Sequence, residues 1–356
     1  MKKRYSNIEL LRVVSMMMIL SLHSFTWNRA SGSDGYIHSL SLGVGLDYFR
    51  ESLCLCAVNV YVLISGFFSI KWKWKSILSF VFQVYFWSLS IYCLMIVLGE
   101  VPFSYTGLFN RINCLIGDYW FVEAYLGLYL LSPILNAFLE KVHKRNVLIL
   151  ILLFVVFEVY SQLLGSSMNF NRGYNTLSLC CVYMIGRLLF LYQDELCGLK
   201  YKCKQYLSIY LSIYLFSAII ISCIALNQLV VKGYDYMTIQ KSFNFAYNNP
   251  LVIIESVGLF LLFNEMKFFS KVVNYAAGSI FAVYLLHMHP DVKQYYYTFT
   301  GQLYDKPVIY HVLVLICLFC AILICSVFVD RIRLWLFSFF YTKCKKLILK
   351  VCNTRR

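Results

Sequence analysis

Ten apolar runs follow one another along the chain, and each is long enough to cross the hydrocarbon core of a lipid bilayer. Backbone polar groups have no water to bond inside a membrane, so successive runs of this kind fold as helices. Hydrophobic residues make up 60% of the chain and charged residues only 14%, against about 25% in soluble proteins. The sequence therefore predicts an all-α, polytopic integral membrane bundle of about ten transmembrane helices. The predicted spans are residues 8–28, 50–70, 76–98, 118–139, 146–165, 175–193, 205–230, 250–268, 272–291 and 308–329.

The basic residues between these spans predict how the chain is oriented. Of the 32 Lys and Arg residues, 22 fall in alternate segments that share one side of the membrane, and only 8 fall on the other side. Cytoplasmic loops carry the excess of Lys and Arg, so both termini are predicted to be cytoplasmic. The more basic segments are 1–7, 71–75, 140–145, 194–204, 267–271 and the residues from 330.

The net charge of +15 is accounted for by these loops, so the lipid bilayer is the expected partner and nucleic acid is not. Residues 341–356 are predicted to be a basic cytoplasmic tail on anionic lipid, after a transmembrane domain at 1–340. Most of the fourteen cysteines lie within apolar runs, and no CxxC pair lies beside histidines. Neither a disulfide framework nor a metal site is expected.

Two costly polar residues lie in the first span. Arg12 and His23 are eleven positions apart, which places them on one face of a helix about 16 Å apart along its axis. Ionisable groups in a membrane interior are expensive and usually functional. This spacing therefore predicts a cation and an imidazole at two different depths in the membrane.

The other polar residues within or beside the spans fall into two layers under this topology. An inner layer contains Arg12, Lys71, Lys73, Lys75 and Arg187. An outer layer contains His23, Trp120, Glu123, Glu158, Glu255 and His287, and Asn59 lies between the layers. Simpler interpretations exist: the lysines alternate with two tryptophans, as in an interfacial anchor, and a single buried Glu is often protonated and bonded to a neighbouring helix.

The arrangement of these two layers, one basic and one with histidines and carboxylates, favours acyl transfer. Arg and Lys bind phosphate groups well, so a basic inner mouth suits an anionic donor. Histidine has the pKa range of a general base that takes a proton from a hydroxyl group. A cytosolic acyl-CoA, with phosphates at one end and a thioester at the end of a long arm, fits both layers.

Four segments resemble the membrane acyltransferase-3 family over essentially the whole chain. They are NIELLRVVSMMMILSLH with Arg12 and His23, VNVYVLISGFFSIKWKWK, YWFVEAYLGLYLLSPILN and GSIFAVYLLHMHP. The resemblance implies an acyl-CoA donor, usually acetyl-CoA, and transfer to a sugar hydroxyl outside the cytoplasm of a bacterial inner (plasma) membrane. It also implies that His23 is the essential catalytic residue and Arg12 its partner at the donor end. Many family members have Asp where this chain has Asn59, and arginines where it has lysines.

The leading hypothesis is thus an integral membrane O-acyltransferase, with acetyl as the expected group, a glycan acceptor and no permanently bound cofactor. In this hypothesis Arg12 and the inner basic residues hold the donor, and Glu123 and His287 assist His23. Asn59, Trp120, Glu158 and Glu255 are the candidates for acceptor binding. The alternative is a transporter or flippase of a polysaccharide or lipid-linked glycan. The acceptor, the oligomeric state and the choice between direct transfer and an acyl-histidine intermediate stay open.

Overall fold

A computed structural model of the protein describes residues 5–30, 42–163, 171–193, 195, 206–232, 242–303 and 306–354. These residues form helices joined by turns and loops, and no strand occurs among them, which confirms the all-α prediction. The helices are α1 (Ser6–Ala30), α2 (Leu42–Leu55), α3 (Ala57–Phe68), α4 (Trp74–Val97), α5 (Tyr105–Ile112), α6 (Trp120–Lys141), α7 (Lys144–Leu163), α8 (Thr176–Leu191), α9 (Tyr206–Val231), α10 (Pro250–Asn264), α11 (Lys271–Ala277), α12 (Phe281–His287), α13 (Lys293–Gly301) and α14 (Val308–Thr354).

Seven helical stretches of the described chain are long and apolar enough to cross a membrane, so the protein is an integral membrane protein. They are Leu42–Phe68, Trp74–Val97, Trp120–Lys141, Lys144–Gln162, Tyr206–Val231, Phe243–Asn264 and Val308–Lys345. Helix α8 is apolar but shorter, and α1 carries Glu9, Arg12 and His23 within its 25 residues. The count of ten spans and the cytoplasmic termini remain predictions.

The predicted span at 272–291 differs from expectation, because it is broken into two short helices. Helix α11 ends at Ala277 and α12 begins at Phe281. The intervening turn is tighter than an α-helix, since the backbone N–H of Ser279 donates to the carbonyl of Ala276, three residues back. Gly278 lies at the break, where a glycine weakens a continuous helix. The break directs α12, and His287 at its end, toward the centre of the bundle.

Helix α1 lies at the centre of the bundle and packs against α2, α3, α11 and α13. Its neighbour α3 makes a very close contact with α8. A methyl group on Gly66 would overlap the backbone carbonyl of Tyr183, and one on Gly186 would overlap that of Leu63. Small residues allow backbones to approach this closely in membranes. The contact fixes how closely α3 and α8 approach each other.

Helix α14 continues well beyond its predicted end at residue 329. It is 47 residues long, or about 70 Å at 1.5 Å per residue, and it passes residue 341 without a break. Asp330 and Arg333, which follow the predicted span, are 0% and 3% exposed and pack against α4. The ion pair between them lets both be buried.

Candidate active site

One face of α1 presents a stripe of side chains toward the interior of the bundle. Met16, Ile19 and His23 line a cavity there, and Arg12 lies one helical turn before Met16 on the same face. The predicted common face of Arg12 and His23 is therefore present, with two apolar residues between the two polar ones.

A second histidine lies against His23. Nδ1 of His23 is 2.9 Å from Nε2 of His287, and Nδ1 of His287 is 2.6 Å from the carbonyl oxygen of Val283. A carbonyl oxygen only accepts hydrogen bonds, so Nδ1 of His287 donates to the carbonyl of Val283. With both rings neutral, Nε2 of His287 carries no proton and acts as an acceptor. Nδ1 of His23 must then donate to His287. Nε2 of His23 keeps its lone pair, as a base or a nucleophile requires.

The cavity beside His23 is narrow and mostly apolar. Its volume is about 30 Å³, and aromatic side chains form most of its wall. Besides the three residues from α1, it is lined by Val58, Tyr61, Trp120, Phe121, Tyr247, Phe281 and Tyr284. Space of this size holds one or two water molecules. The imidazole of His23 therefore faces a small, mostly apolar space.

Three aromatic rings form a cluster on one wall of the cavity. The ring centroid of Trp120 is 4.5 Å from that of Tyr174 and 5.6 Å from that of Tyr247, with the Trp120 and Tyr247 rings nearly parallel. Asn59 is 1% exposed, and its side-chain nitrogen donates to the backbone carbonyl of Tyr247 at 2.8 Å. Asn59 therefore holds one ring of this cluster in place from behind the wall.

Arg12 is connected to the cavity through its own backbone. The hydroxyl of Tyr61, which lines the cavity, donates to the carbonyl of Arg12 at 2.5 Å. The guanidinium lies 3.0 Å from the carboxylate of Glu9 and remains 32% exposed. Arg12 thus keeps an accessible positive group on the His23 face, at the opposite end of the stripe.

The predicted acidic residues lie elsewhere. Glu123 is exposed and accepts from the amide of Gly117 at 3.4 Å, whereas Glu158 is buried and accepts from the hydroxyl of Ser178. Glu255 is fully buried on α10 beside Cys56. None of the three is among the described residues that line the cavity.

The inner basic residues are spread over a surface. Lys71, Lys73 and Lys75 are exposed around the start of α4, and the Lys75 amine lies 5.3 Å from the ring centroid of Tyr341. The guanidinium of Arg187 packs over the ring of Phe190 at 4.6 Å. Among the described residues, no group of three or more His, Cys, Asp or Glu side chains is placed to hold a metal ion.

Sequence reasoning missed most of the cavity wall. Four of its aromatic residues look like ordinary apolar residues of transmembrane helices in the sequence: Tyr61, Phe121, Phe281 and Tyr284. Each nevertheless lies in one of the four segments on which the resemblance rests. Tyr247 comes from the loop before α10 and had no signal of its own. The carbonyl of Val283 is a backbone group, which the sequence does not distinguish.

The fold and the site define an all-helical integral membrane protein with a pair of histidines beside a small, mostly apolar cavity. The chain belongs to the acyltransferase-3 family, whose model, described as an acyltransferase domain, matches residues 5–331. No curated protein and no solved structure matches the chain.

Proposed function

We propose that the protein is an O-acyltransferase that moves an acyl group, with acetyl favoured, from cytosolic acyl-CoA to a hydroxyl of an extracytoplasmic glycan. The observation that carries the proposal is the chain of hydrogen bonds from Val283 through His287 to His23. It leaves a lone pair on Nε2 of His23, beside a small and mostly apolar cavity on the same helix face as Arg12.

The chemistry follows from that atom. Nε2 of His23 takes the proton of the acceptor hydroxyl while the oxygen bonds to the thioester carbonyl carbon. The carbon–sulfur bond then breaks, and the leaving sulfur receives the proton from His23. The products are an O-acyl ester and free CoA, and His23 returns to its starting state.

The substrate classes follow from the charges and rings around the cavity. Arg12 and the lysines at the start of α4 give one side the positive charge that attracts the phosphates of CoA. The cluster of Trp120, Tyr174 and Tyr247 offers flat apolar faces of the kind on which sugar rings stack. In the proposed topology the basic residues face the cytoplasm, and the aromatic cluster faces the acceptor.

The test compares the wild type with His23→Ala and Arg12→Ala at matched membrane levels. Labelled acetyl-CoA is supplied on the cytoplasmic side of vesicles that carry surface glycan, and alkali-labile label in the glycan is counted. The matched control is His143→Ala, which removes a histidine from the turn between α6 and α7.

We expect full labelling with the wild type and the control, none with His23→Ala, and strongly reduced labelling with Arg12→Ala. Equal labelling by His23→Ala and the wild type would remove the catalytic assignment. Glycan that accumulates outside the vesicles without any acylation would favour the transporter alternative.

A further inference from the structure

A second and larger cavity opens between α4 and α14. Its volume is about 530 Å³, far more than that of the cavity beside His23. Its walls are Lys75, Ser76, Ser79, Phe80 and Gln83 from α4, Gly278 from the turn before α12, and Arg333, Leu334, Phe337 and Ser338 from α14. It begins at the basic start of α4.

The polar groups of this cavity suit an anion. Lys75 brings a positive charge, and three serines bring hydroxyl groups. Arg333 contributes an N–H donor, since its charge is balanced by Asp330, and no acidic side chain is among the described residues that line the cavity. Cations and hydroxyls together form the usual surroundings of a bound phosphate group.

Arg333 is held in a fixed orientation from behind the cavity wall. Its Nε and Nη2 donate to the two carboxylate oxygens of Asp330 at 3.0 and 2.7 Å. Asp330 also accepts from the side chains of Gln83 and Trp87 at 3.0 and 3.2 Å. The remaining nitrogen, Nη1, points toward the hydroxyl of Ser79 at 3.4 Å. Asp330 thus holds two nitrogens of the guanidinium, and the third nitrogen faces the cavity.

Two aromatic rings, one from the wall of each cavity, are in contact between this cavity and the one that His23 lines. Phe80 lines the larger cavity, Phe281 lines the smaller one, and their ring centroids are 5.4 Å apart. Both are partly exposed, and Phe80 also contacts Tyr125 at 5.8 Å. The break at Gly278 brings the start of α12 to this boundary. A thin arm that passed between the rings would enter the His23 cavity directly.

We propose that the cavity between α4 and α14 binds the phosphate groups of the acyl donor, and that Phe80 and Phe281 form the gate through which its acyl arm reaches His23. This inference rests on the proposed acyl transfer. The family match covers residues 5–331, so Arg333 and Ser338 lie just beyond it. Phospholipid headgroups carry phosphate as well, so the test separates the two sources.

The binding test measures the Kd of CoA for the purified full chain without acceptor, and compares pantetheine, which lacks the phosphates. Ser79→Trp fills the cavity, whereas Leu78→Trp, on the exposed side of the same turn, is the matched control. We expect Ser79→Trp to weaken CoA binding by at least 10-fold and Leu78→Trp to leave it unchanged. Lys75→Gln should weaken CoA binding several-fold and leave pantetheine binding unaltered.

Unchanged CoA binding by Ser79→Trp would overturn the assignment. If Ser79→Trp left CoA binding unchanged but lost co-purified anionic phospholipid, the cavity would be a lipid site. No acceptor is present in this binding test, so its result does not depend on whether glycan is acylated. The donor site can therefore be disproved without disproving the proposed function.

The gate is tested by the rate of transfer. Phe80→Trp enlarges one ring at the boundary, and Phe86→Trp, further along α4 and packed on Phe82 and Trp87, is the control. We expect Phe80→Trp to lower kcat at least 10-fold with the Kd of CoA unchanged, because the phosphates bind before the gate. Equal kcat values for Phe80→Trp, Phe86→Trp and the wild type would exclude the gate.

Discussion

At the scale of single residues, the position of the proton on His23 depends on a backbone carbonyl that it does not touch. The carbonyl of Val283 fixes the proton of His287, and His287 fixes the proton of His23. Partners of this kind orient a reactive ring without meeting the substrate. The role of His287 as a second proton-transfer group stays a prediction, and its bond to His23 leads us to propose that it also orients that ring.

The first prediction concerns this histidine. His287→Ala should lower kcat about 10- to 100-fold, the usual effect of losing an orienting partner, because His23 loses the acceptor that holds its ring. The KM for acyl-CoA should stay unchanged, and His287→Gln, which keeps an acceptor oxygen, should restore part of the rate. Steady-state rates at matched protein levels check this. A parallel fall in thermal stability and rate, without rescue by Gln, would instead indicate a structural role.

The second prediction concerns Asn59. Asn59→Ala leaves the buried carbonyl of Tyr247 without its donor, which should cost about 1–3 kcal/mol of the free energy of unfolding. The melting temperature in detergent should fall, and acceptor binding should weaken as the aromatic cluster loosens. Asn113→Ala, at an exposed position after α5, is the control and should shift the melting temperature very little. Equal melting temperatures for the two variants would contradict the prediction.

The residue scale also shows what the sequence can reveal. The face shared by Arg12 and His23 was predictable, because two expensive groups at a helical spacing in lipid need a reason. The partnership of His23 with His287 joins residues that are 264 positions apart and was not predictable, since helix packing decides it. The roles of the acidic candidates stay predictions. None of the three lines the cavity, since depth in the membrane does not tell which way a side chain points.

At the scale of elements, two glycines determine how closely α3 and α8 pack. Gly66→Ala and Gly186→Ala should each push the helices apart, at a cost of about 1–3 kcal/mol in the free energy of unfolding, because the added methyl group meets backbone. Gly45→Ala on α2 is the matched control, since a methyl group there meets nothing within 4 Å. Thermal unfolding of the three variants checks this, and similar melting temperatures would show that the contact relaxes freely.

Helical elements were predicted well where a run was uniformly apolar, and less well where it was not. The broken span at 272–291 contains a clear glycine, but hydropathy averaged over about twenty residues does not register one turn. The extension of α14 past residue 329 was missed because charged residues signal the end of a span. Here the charges of Asp330 and Arg333 satisfy each other inside the bundle.

At the scale of the whole molecule, the proposed topology assigns the two groups of loops to opposite sides. A fluorescent protein fused after residue 356 should fluoresce, and alkaline phosphatase fused there should be inactive, since the C-terminus is predicted to be cytoplasmic. The same reporters inserted at Tyr105, an exposed residue at the start of α5, should give the reverse result. Active phosphatase at residue 356 would invert the topology and exclude cytosolic acyl-CoA as the donor at the α4 side.

The contact between Phe80 and Phe281 also bears on how the resting protein blocks water. The cavity beyond the two rings has room for only one or two water molecules. If the proposed transfer joins a donor on one side of the membrane to an acceptor on the other, we expect this contact to interrupt any continuous chain of water along that route.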